Sequence, residues 1–560
     1  MSVRRTRREV LQWSALAGAA ALLGACAPSP TAPAPTARSV ARQLLPTYLP
    51  LATGPKPDFP AGNPMLCDGF TTYPSNPVKS LPSEPPGSGS TVTVFSDAAL
   101  PLPTPIEQNP AWQAVNQALN ANVQFNIASN ADYPAKLATL MAGSDLPDII
   151  SFVTIVPGST AVSFVPGGQQ FLEAQAADLT PYLAGDAAKD YPNLAAIPTH
   201  CWSNAGCAYN GKLYMIPFQR TLAGYVWLKN ASVYDAQFGQ DYLPKNADDF
   251  KRVLQALTRP QQNVWGIGGG ATTTLWLPYF GAMFGAPNGW RLESNGNLTS
   301  AFETPEFKEA VGYVRDLWSA GVFHPDSPGN LTRTDFQAGK FIVFLDTFNG
   351  WQDSLRQAAK LTPPPEFKLL PLFGAHDGQK PGFITIGGYG GTIAFKKAAP
   401  ERIKELLRIT NWLAAPFGSA EDLLLSYGVQ GQDYSFDSKN MLQLTSRSNT
   451  DANYVPWKYT AQHPFVFFAP DLPSYGQIAT EAERSVIPSA TPDPTFGAVS
   501  ATAVSKGVAL ANTMRDNLMA VLLGRRPMSD YDQIVADWRA NGGDQMRKEF
   551  MAALAGAPNQ

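Results

Sequence analysis

The chain has 560 residues, of which 44% are hydrophobic and 16% charged, and its formal net charge is −3. This length exceeds what one hydrophobic core usually serves, so two or more domains are expected. The charge balance provides no basic surface of the kind that binds nucleic acid, so we predict no nucleic-acid partner.

The first 25 residues are predicted to be a signal peptide rather than part of the fold. Thr6-Arg7-Arg8-Glu9-Val10-Leu11-Gln12 resembles a twin-arginine export motif. The apolar run that follows is shorter than the roughly 20 residues that span a bilayer. It ends in Leu23-Gly24-Ala25-Cys26, which resembles a bacterial lipobox. We therefore expect Cys26 to carry palmitate-type lipid and to hold the mature chain at the extracytoplasmic face of the cell membrane.

Residues 26–90 follow as a stretch rich in Pro, Ser, Thr and Ala. Such a composition buries too little apolar surface to offset the entropy of ordering it. The sequence predicts a tether after the lipidated cysteine, with possible ordered patches near Cys67 and Phe70.

Regular structure is predicted to start at Thr91, where Thr91-Val92-Thr93-Val94-Phe95 suits a strand. Asn109-Pro110 has the form of a helix N-cap and first turn. Val123, Phe125 and Ile127 alternate as in a strand, and Asp132 is placed to cap a second helix. Residues 148–153 form a third apolar run. This β-α-β-α-β order predicts a parallel sheet wrapped by helices.

A hairpin is predicted around Asn210-Gly211, because both residues tolerate the positive φ of a type I′ turn. Pro217 is expected to end the pairing, since it has no N–H to donate. Cys201 and Cys207 lie six positions apart just before this turn, and they form either a disulfide or two buried thiols. Cys67 has no evident partner, and the spacing fits no structural zinc site.

A second set of elements follows the hairpin, and its apolar positions alternate between strand and helix periods. The predicted strands cover 225–228, 341–345 and 384–395, and the predicted helices start at Asn246, Thr304 and Glu401. Gly321 suits the position after the helix that starts at Thr304. The tail from 501 to 555 is predicted to be mostly helical, with a break near 524–527.

Several short motifs occur in an order that is typical of one family. They are Asp132-Tyr133-Pro134-Ala135-Lys136-Leu137, Gly143-Ser144-Asp145-Leu146-Pro147-Asp148, Gly211-Lys212-Leu213-Tyr214-Met215-Ile216-Pro217, Leu243-Pro244-Lys245 before Asp249-Phe250, Phe284-Gly285-Ala286-Pro287-Asn288-Gly289-Trp290, 304–326, Phe336-Gln337-Ala338-Gly339-Lys340, Gly428-Val429-Gln430-Gly431-Gln432-Asp433-Tyr434 and Leu522-Leu523-Gly524. Asn246 and Ala247 replace a Thr-Trp pair of the family pattern. Together the motifs resemble the extracellular solute-binding proteins, family 1, of bacterial ABC importers, and within them the lipoproteins that bind oligosaccharides.

The resemblance implies a two-lobe α/β fold of the periplasmic-binding-protein type, with ligand held in a cleft between lobes that hinge strands join. It also implies lobes that are discontinuous in sequence. We expect 91–210 plus about 355–395 in lobe 1, and 211–354 plus about 396–560, including the helical tail, in lobe 2. A monomer that hands its solute to an ABC permease in the membrane is the expected working unit.

A sugar site needs flat apolar rings and a few polar groups that fix orientation. The ring candidates, chosen from loops near the expected cleft, are Trp276, Phe348, Trp351, Tyr389, Trp457 and Tyr459. The polar candidates are Asp97, Arg220, Asp346 and Asn349. Each ring has core packing as its alternative, Arg220 a surface ion pair, and Asp97 a loop cap.

Other chemistries lack their motifs. The chain has no G-x-S-x-G, no H-E-x-x-H and no alternating acids of a calcium loop, so we predict no catalytic residue, metal or cofactor. Two alternatives remain: the same fold could bind a peptide or other solute or act as a sensor, and an exported carbohydrate-active enzyme would need a carboxylate pair that sequence alone does not exclude.

Overall fold

A computed structural model describes residues 44–51, 54–81, 84–98, 101–129, 132–153, 167–269, 273–329 and 332–555. The signal peptide, Cys26 and the start of the tether lie outside these ranges. The α-helices are Pro110–Leu119, Tyr133–Ala142, Gly168–Gln175, Thr180–Leu183, Pro192–Ala195, Thr199–Asn204, Ala231–Phe238, Ala247–Leu257, Thr273–Phe284, Pro305–Ser319, Arg333–Gln337, Phe348–Ala358, Pro400–Leu413, Ala420–Tyr427, Tyr475–Val486, Ala501–Leu522, Tyr531–Trp538 and Asp544–Ala555.

The strands of the two main sheets are β1 (Thr91–Ala98), β2 (Asn122–Ser129), β3 (Ile149–Val153), β4 (Ile216–Gln219), β5 (Tyr225–Asn230), β6 (Trp265–Ile267), β7 (Phe341–Thr347), β8 (Phe367–Leu369) and β9 (Tyr389–Phe395). Shorter pairs include the hairpin Ala208–Tyr209 with Lys212–Leu213. Its turn residues Asn210 and Gly211 have φ of 47° and 73°, as the sequence predicts.

Lobe 1 is built on a five-stranded sheet in the order β2-β1-β3-β9-β4. β1 pairs in parallel with β2 and β3, and Val94 lies opposite both Phe125 and Ile149. The predicted β-α-β-α-β unit is therefore confirmed. The Asn109 side chain accepts the Trp112 N–H as the predicted cap, whereas the Asp132 side chain caps no N–H.

The last strand of this sheet, β4, contains Pro217, which was expected to end the pairing. Pro217 lies opposite Thr392 of β9 inside the strand. β4 stands at the end of the sheet. The missing N–H of a proline costs no ladder hydrogen bond at such an edge, so the strand runs on through Gln219.

Lobe 2 is built on a four-stranded sheet in the order β8-β5-β7-β6. β7 is antiparallel to β5 and parallel to β6, and helices cover the sheet. Asn246 and Thr304 cap the helices that follow them, and Gly321 has φ of 68° just past the second one, as predicted. The C-terminal helices contribute buried Leu510 and Trp538 to the same core.

The division of the chain between the lobes differs from the predicted boundaries. β8 lies in the lobe 2 sheet, although 355–395 was assigned to lobe 1. The helix Pro400–Leu413 packs into the lobe 1 core through Ile403 and Leu406, although 396–560 was assigned to lobe 2. An apolar helix stripe specifies that a face is buried but not which core receives it, which is why the sequence misplaced these segments.

Much of the predicted tether is packed structure. Residues 68–69 pair in parallel with 466–467. Tyr73 is buried with Phe417, and its hydroxyl donates to Ser419 O and Asp422 Oδ2, both at 2.9 Å. A few aromatic residues thus fix a segment whose average composition predicts disorder.

None of the helices in the described part of the chain is both long and apolar enough to cross a membrane.

Candidate functional site

Three connections run side by side where the chain passes between the lobes. Residues 220–224 link β4 to β5, residues 385–388 return to β9, and residues 460–465 lead from lobe 1 towards lobe 2. The Arg220 N–H donates to Gly388 O at 3.0 Å, and the Ile386 N–H donates to Leu222 O at 3.1 Å. Gln219 Oε1 accepts the Phe465 N–H at 3.0 Å. These hydrogen bonds join the three connections where the chain passes between the two lobes.

A cluster of two cations and two rings lies at these connections. We call Phe218, Arg220, Lys458 and Tyr459 the hinge cluster. The Arg220 guanidinium carbon lies 5.2 Å from the Phe218 ring centre and 5.9 Å from that of Tyr459. Lys458 Nζ lies 5.8 Å from the Tyr459 centre. These distances are within the range of cation–π attraction.

Arg220 uses only part of its hydrogen-bonding capacity. Nη1 donates to Gln219 O at 2.7 Å and to Gln462 Oε1. Within the described ranges, Nε and Nη2 have no hydrogen-bond partner, and no carboxylate lies within 4.0 Å of the guanidinium. Burial lowers the pKa of Arg220. The side chain is therefore a half-buried cation whose Nε and Nη2 have no hydrogen-bond partner among the described residues.

Lys458 is the second cation of the cluster and is similarly placed. Its Nζ donates to Asn453 Oδ1 at 3.2 Å. Burial, together with the positive charge of Arg220, lowers the pKa of Lys458 to about 8. No carboxylate of a described residue forms an ion pair with this ammonium. The protein thus holds two like charges close together without an internal counter-ion.

Asp97 lies on the lobe 1 side of the cluster, near the carboxyl end of β1. Burial raises the pKa of Tyr459, and the charge of Asp97 raises it further while Arg220 opposes the rise. Ser151 Oγ donates to Tyr459 O at 2.6 Å, which fixes the residue against β3. The structure thus brings together three of the predicted site residues, Asp97, Arg220 and Tyr459.

Trp276 was predicted to lie in a loop, and this prediction is wrong. It belongs to the helix Thr273–Phe284, is 2% exposed, and packs edge-on against Trp227 and Phe344 at 5.7 and 5.5 Å. The Gly-rich stretch before it approaches the indole closely, since a Cβ on Gly269 would lie 2.5 Å from the ring. Glycine marks close packing here rather than a ligand loop.

Asp346 lies on β7 and is occupied by an internal partner. Arg333 Nε and Nη2 donate hydrogen bonds to its two carboxylate oxygens at 2.7 and 3.1 Å. The residues that follow start a helix rather than a loop, because the Thr347 side chain accepts the Gly350 N–H. Phe348 and Trp351 are buried in the lobe 2 core, and Asn349 is exposed on the same helix.

Tyr389 and Trp457 are buried in the lobe 1 core. Trp457 meets Trp112 and Phe125 edge-on at 6.2 and 5.0 Å. Tyr389 is the first residue of β9 and lies opposite Gln219. Both rings lie close in sequence to the hinge connections, but they serve packing.

The predicted disulfide between Cys201 and Cys207 is absent, and the alternative of buried thiols holds. Cys201 Sγ donates to Gly388 O at 3.2 Å, which points the thiol towards the hinge connection. Cys67 is also free and buried. Among the residues with described positions, His, Cys, Asp and Glu form no group of three that would hold a metal ion.

Sequence reasoning missed Phe218, Lys458 and Gln462. Phe218 continues β4 beyond the proline that was expected to stop it. Lys458 stands between two ring candidates and was overlooked because an isolated lysine normally faces solvent. A charge placed between Trp457 and Tyr459 was the available signal.

The two α/β lobes and their hinge connections define a two-lobed ligand-binding protein rather than a single-domain module. More than half of the chain, residues 103–416, matches the family model for bacterial extracellular solute-binding proteins. The chain belongs to that family.

Two relatives from Bacillus subtilis strain 168 extend the match. Lipoprotein LipO is 23% identical over 501 residues, covering 83% of this chain and 92% of LipO. The polygalacturonan/rhamnogalacturonan-binding protein YtcQ is 23% identical over 480 residues, and the match covers 79% of this chain and 88% of YtcQ.

Solved structures of low sequence identity share the fold. A Bifidobacterium longum infantis solute-binding protein that binds HMO matches with a TM-score of 0.60 at 13% identity, covering 83% of this chain and 98% of its own. The N-glycan transport protein NgtS of Streptococcus pneumoniae matches with a TM-score of 0.56 at 15% identity, covering 83% and 99%. Alginate-binding protein AlgQ2 matches with a TM-score of 0.54 at 15% identity, covering 83% and 98%.

Proposed function

We propose that this chain is the lipid-anchored, extracytoplasmic substrate-binding protein of an ABC importer, and that it captures an oligosaccharide at the hinge cluster. The observation that carries the proposal is the half-buried guanidinium of Arg220, whose Nε and Nη2 have no described hydrogen-bond partner, beside the half-buried ring of Tyr459 at the connection between the lobes. YtcQ and the transport proteins of similar fold bind saccharides, which supports the same ligand class here.

The chemistry of the cluster suits a sugar. The faces of pyranose rings carry C–H groups that pack on aromatic rings, and their edges carry hydroxyls that need donors and acceptors. Tyr459 offers a half-buried ring, and the buried Phe218 ring packs against it, with the two ring centres 6.0 Å apart at 70° to each other. Arg220 and Gln462 offer polar groups beside them. Binding without turnover is the role that we assign, with no catalytic residue.

Titration calorimetry of the full chain against neutral and acidic oligosaccharides tests the proposal. We expect Tyr459→Leu to weaken binding about 10-fold, the usual order for a lost aromatic contact. Tyr454→Leu is the matched control, because this half-buried tyrosine lies outside the cluster. Failure of every saccharide class to bind would refute a sugar ligand, and release of shortened sugars over hours would instead identify an enzyme.

The anchor and the transport partner need separate experiments. Cys26→Ala should move the protein from the membrane fraction to the soluble exported fraction and abolish palmitate labelling. Replacing Arg7 and Arg8 by Lys should block export if the twin-arginine pathway carries the chain. Uptake of the bound saccharide by cells should require both this chain and its permease; undiminished uptake without the chain would refute the transport role.

A further inference from the structure

We propose that the ligand of the hinge cluster is an acidic saccharide, and that Arg220 and Lys458 together bind the carboxylate of one of its uronate residues. This inference rests on the proposed function and names the substrate class of the same site. It starts from the charges, since the cluster holds two cations and the described residues supply neither with a carboxylate.

The sequence argues against a counter-ion from the undescribed stretches near the lobes. Residues 99–100, 130–131, 154–166, 270–272 and 330–331 contain neither Asp nor Glu. Asp97 is the carboxylate whose charge reaches Tyr459. A compensating negative charge is therefore expected to come from outside the chain.

Comparison with other arginines shows what is unusual at Arg220. Arg333 presents Nε and Nη2 to Asp346, and Arg402 presents its two terminal nitrogens to Asp148 and Glu405. Arg220 instead uses Nη1 for neutral oxygens and leaves the Nε–Nη2 edge without a described partner. This edge has the fork geometry that binds a carboxylate with two parallel hydrogen bonds.

Burial makes the missing charge costly. Two half-buried cations near one ring repel each other and lose hydration, and both effects are relieved when an anion binds between them. The half-buried Tyr459 ring lies beside both cations, where the body of the sugar would pack. A uronate residue provides both features, because its pyranose face is apolar and its carboxylate projects from the ring edge. A neutral sugar would leave the two charges uncompensated.

The test is calorimetry of the full chain with matched ligands: oligogalacturonates and oligoalginates of three to six residues, their methyl esters, and neutral oligosaccharides of equal length. At least one acidic series should bind about 10- to 100-fold more tightly than its ester, the range of charge-assisted hydrogen bonds. Raising the salt concentration from 50 to 500 mM should weaken binding of the acid and leave binding of the ester nearly unchanged.

Variants assign the preference to the cluster. Arg220→Gln should reduce the preference for acid over ester to less than about 3-fold, and Lys458→Met should reduce it in part. Arg525→Gln is the control, because Arg525 is exposed and lies outside the cluster, and it should keep the full preference. Circular dichroism and the unfolding midpoint establish that each variant is folded.

The outcomes separate this inference from the proposed function. If neutral sugars or esters bind as tightly as the acids, the acidic ligand is refuted and the oligosaccharide-binding role stands. If the acid preference survives in folded Arg220→Gln and Lys458→Met variants, the assignment to this cluster is refuted. If no saccharide binds, the proposed function is refuted together with the inference.

Discussion

The hinge connections and the end of β7 in lobe 2 each hold an arginine, but they use it differently. At β7 the Nε–Nη2 edge of Arg333 is filled by Asp346, which is 6% exposed. At the hinge the same edge of Arg220 has no hydrogen-bond partner among the described residues, and the hydrogen bonds of Arg220 go to neutral oxygens through Nη1. The first arrangement is complete within the protein and the second is not.

This contrast indicates which polar groups can serve as ligand contacts. The sequence made both residues polar candidates, Asp346 after a predicted strand and Arg220 after the predicted hairpin. Only the three-dimensional partners distinguish a group that stabilises a lobe from one with unused donors. Substitutions at the two places should therefore separate into losses of stability and losses of binding.

The largest effect is expected at Trp276, in the core of lobe 2. Trp276→Ala removes a buried indole and leaves a cavity, which typically costs about 4 kcal/mol of unfolding free energy. Urea unfolding followed by circular dichroism measures this loss. Trp276→Phe, which keeps a ring, is the control and should cost less than half as much. A full-length chain with unchanged stability after Trp276→Ala would show that the indole is not core.

Arg333→Met should have the next largest effect. The substitution leaves the Asp346 carboxylate buried without its cation, and breaking such a pair costs about 3 kcal/mol. Asp346→Asn in the same chain should recover part of the loss, because it removes the stranded charge. Denaturant titrations of the two single variants and the double variant measure the coupling. Independent, additive losses would contradict the ion pair as the cause.

Most of the fold was predictable because local rules determine it. The cap at Asn109, the turn at Asn210 and Gly211, and the end of a helix before Gly321 depend only on neighbouring residues. The order of strands and helices likewise predicted the parallel part of lobe 1. The same rules do not say which core a helix joins, so Pro400–Leu413 was placed in the wrong lobe.

The site was less predictable, for the same physical reason. Trp276, Trp457 and Tyr459 look alike in sequence, and only contacts distant along the chain bury the first two. Pro217 does not end β4 because an edge strand tolerates proline, and the position of a strand at the edge of a sheet is not encoded by its neighbouring residues. Lys458 is notable only because its position lacks a carboxylate, and a missing partner is a property of the folded chain.

Replacing Glu405 should have a smaller effect on the unfolding free energy, and this effect should depend on pH. Burial opposes its ionisation, but hydrogen bonds from Ser88 and Arg402 outweigh burial and lower the pKa of Glu405 from 4.5 to about 2. The ionised Glu405 carboxylate therefore stabilises the folded state fully above about pH 4.5, and this contribution is lost as the pH falls towards 2. Glu405→Gln should cost about 2 kcal/mol at pH 7 and almost nothing near pH 2.

Unfolding free energies measured at several pH values for the wild type and for Glu405→Gln check this prediction. Glu401→Gln is the control on the same helix, because Glu401 is exposed and should have little effect at any pH. A difference between wild type and Glu405→Gln that stays constant from pH 7 to pH 2 would contradict the lowered pKa.

The smallest change in stability is expected at Arg220, where the comparison is sharpest. Arg220→Met removes two hydrogen bonds to neutral oxygens but breaks no ion pair within the described residues, and it relieves repulsion with Lys458. These terms oppose each other, so the unfolding free energy should change by less than about 1 kcal/mol. The same variant should lose ligand affinity. The folded fraction of Arg333→Met should bind the ligand as tightly as the wild type does. If Arg220→Met destabilises the protein as much as Arg333→Met does, Arg220 has a stabilising role in the fold, and the contrast between the two arginines is refuted.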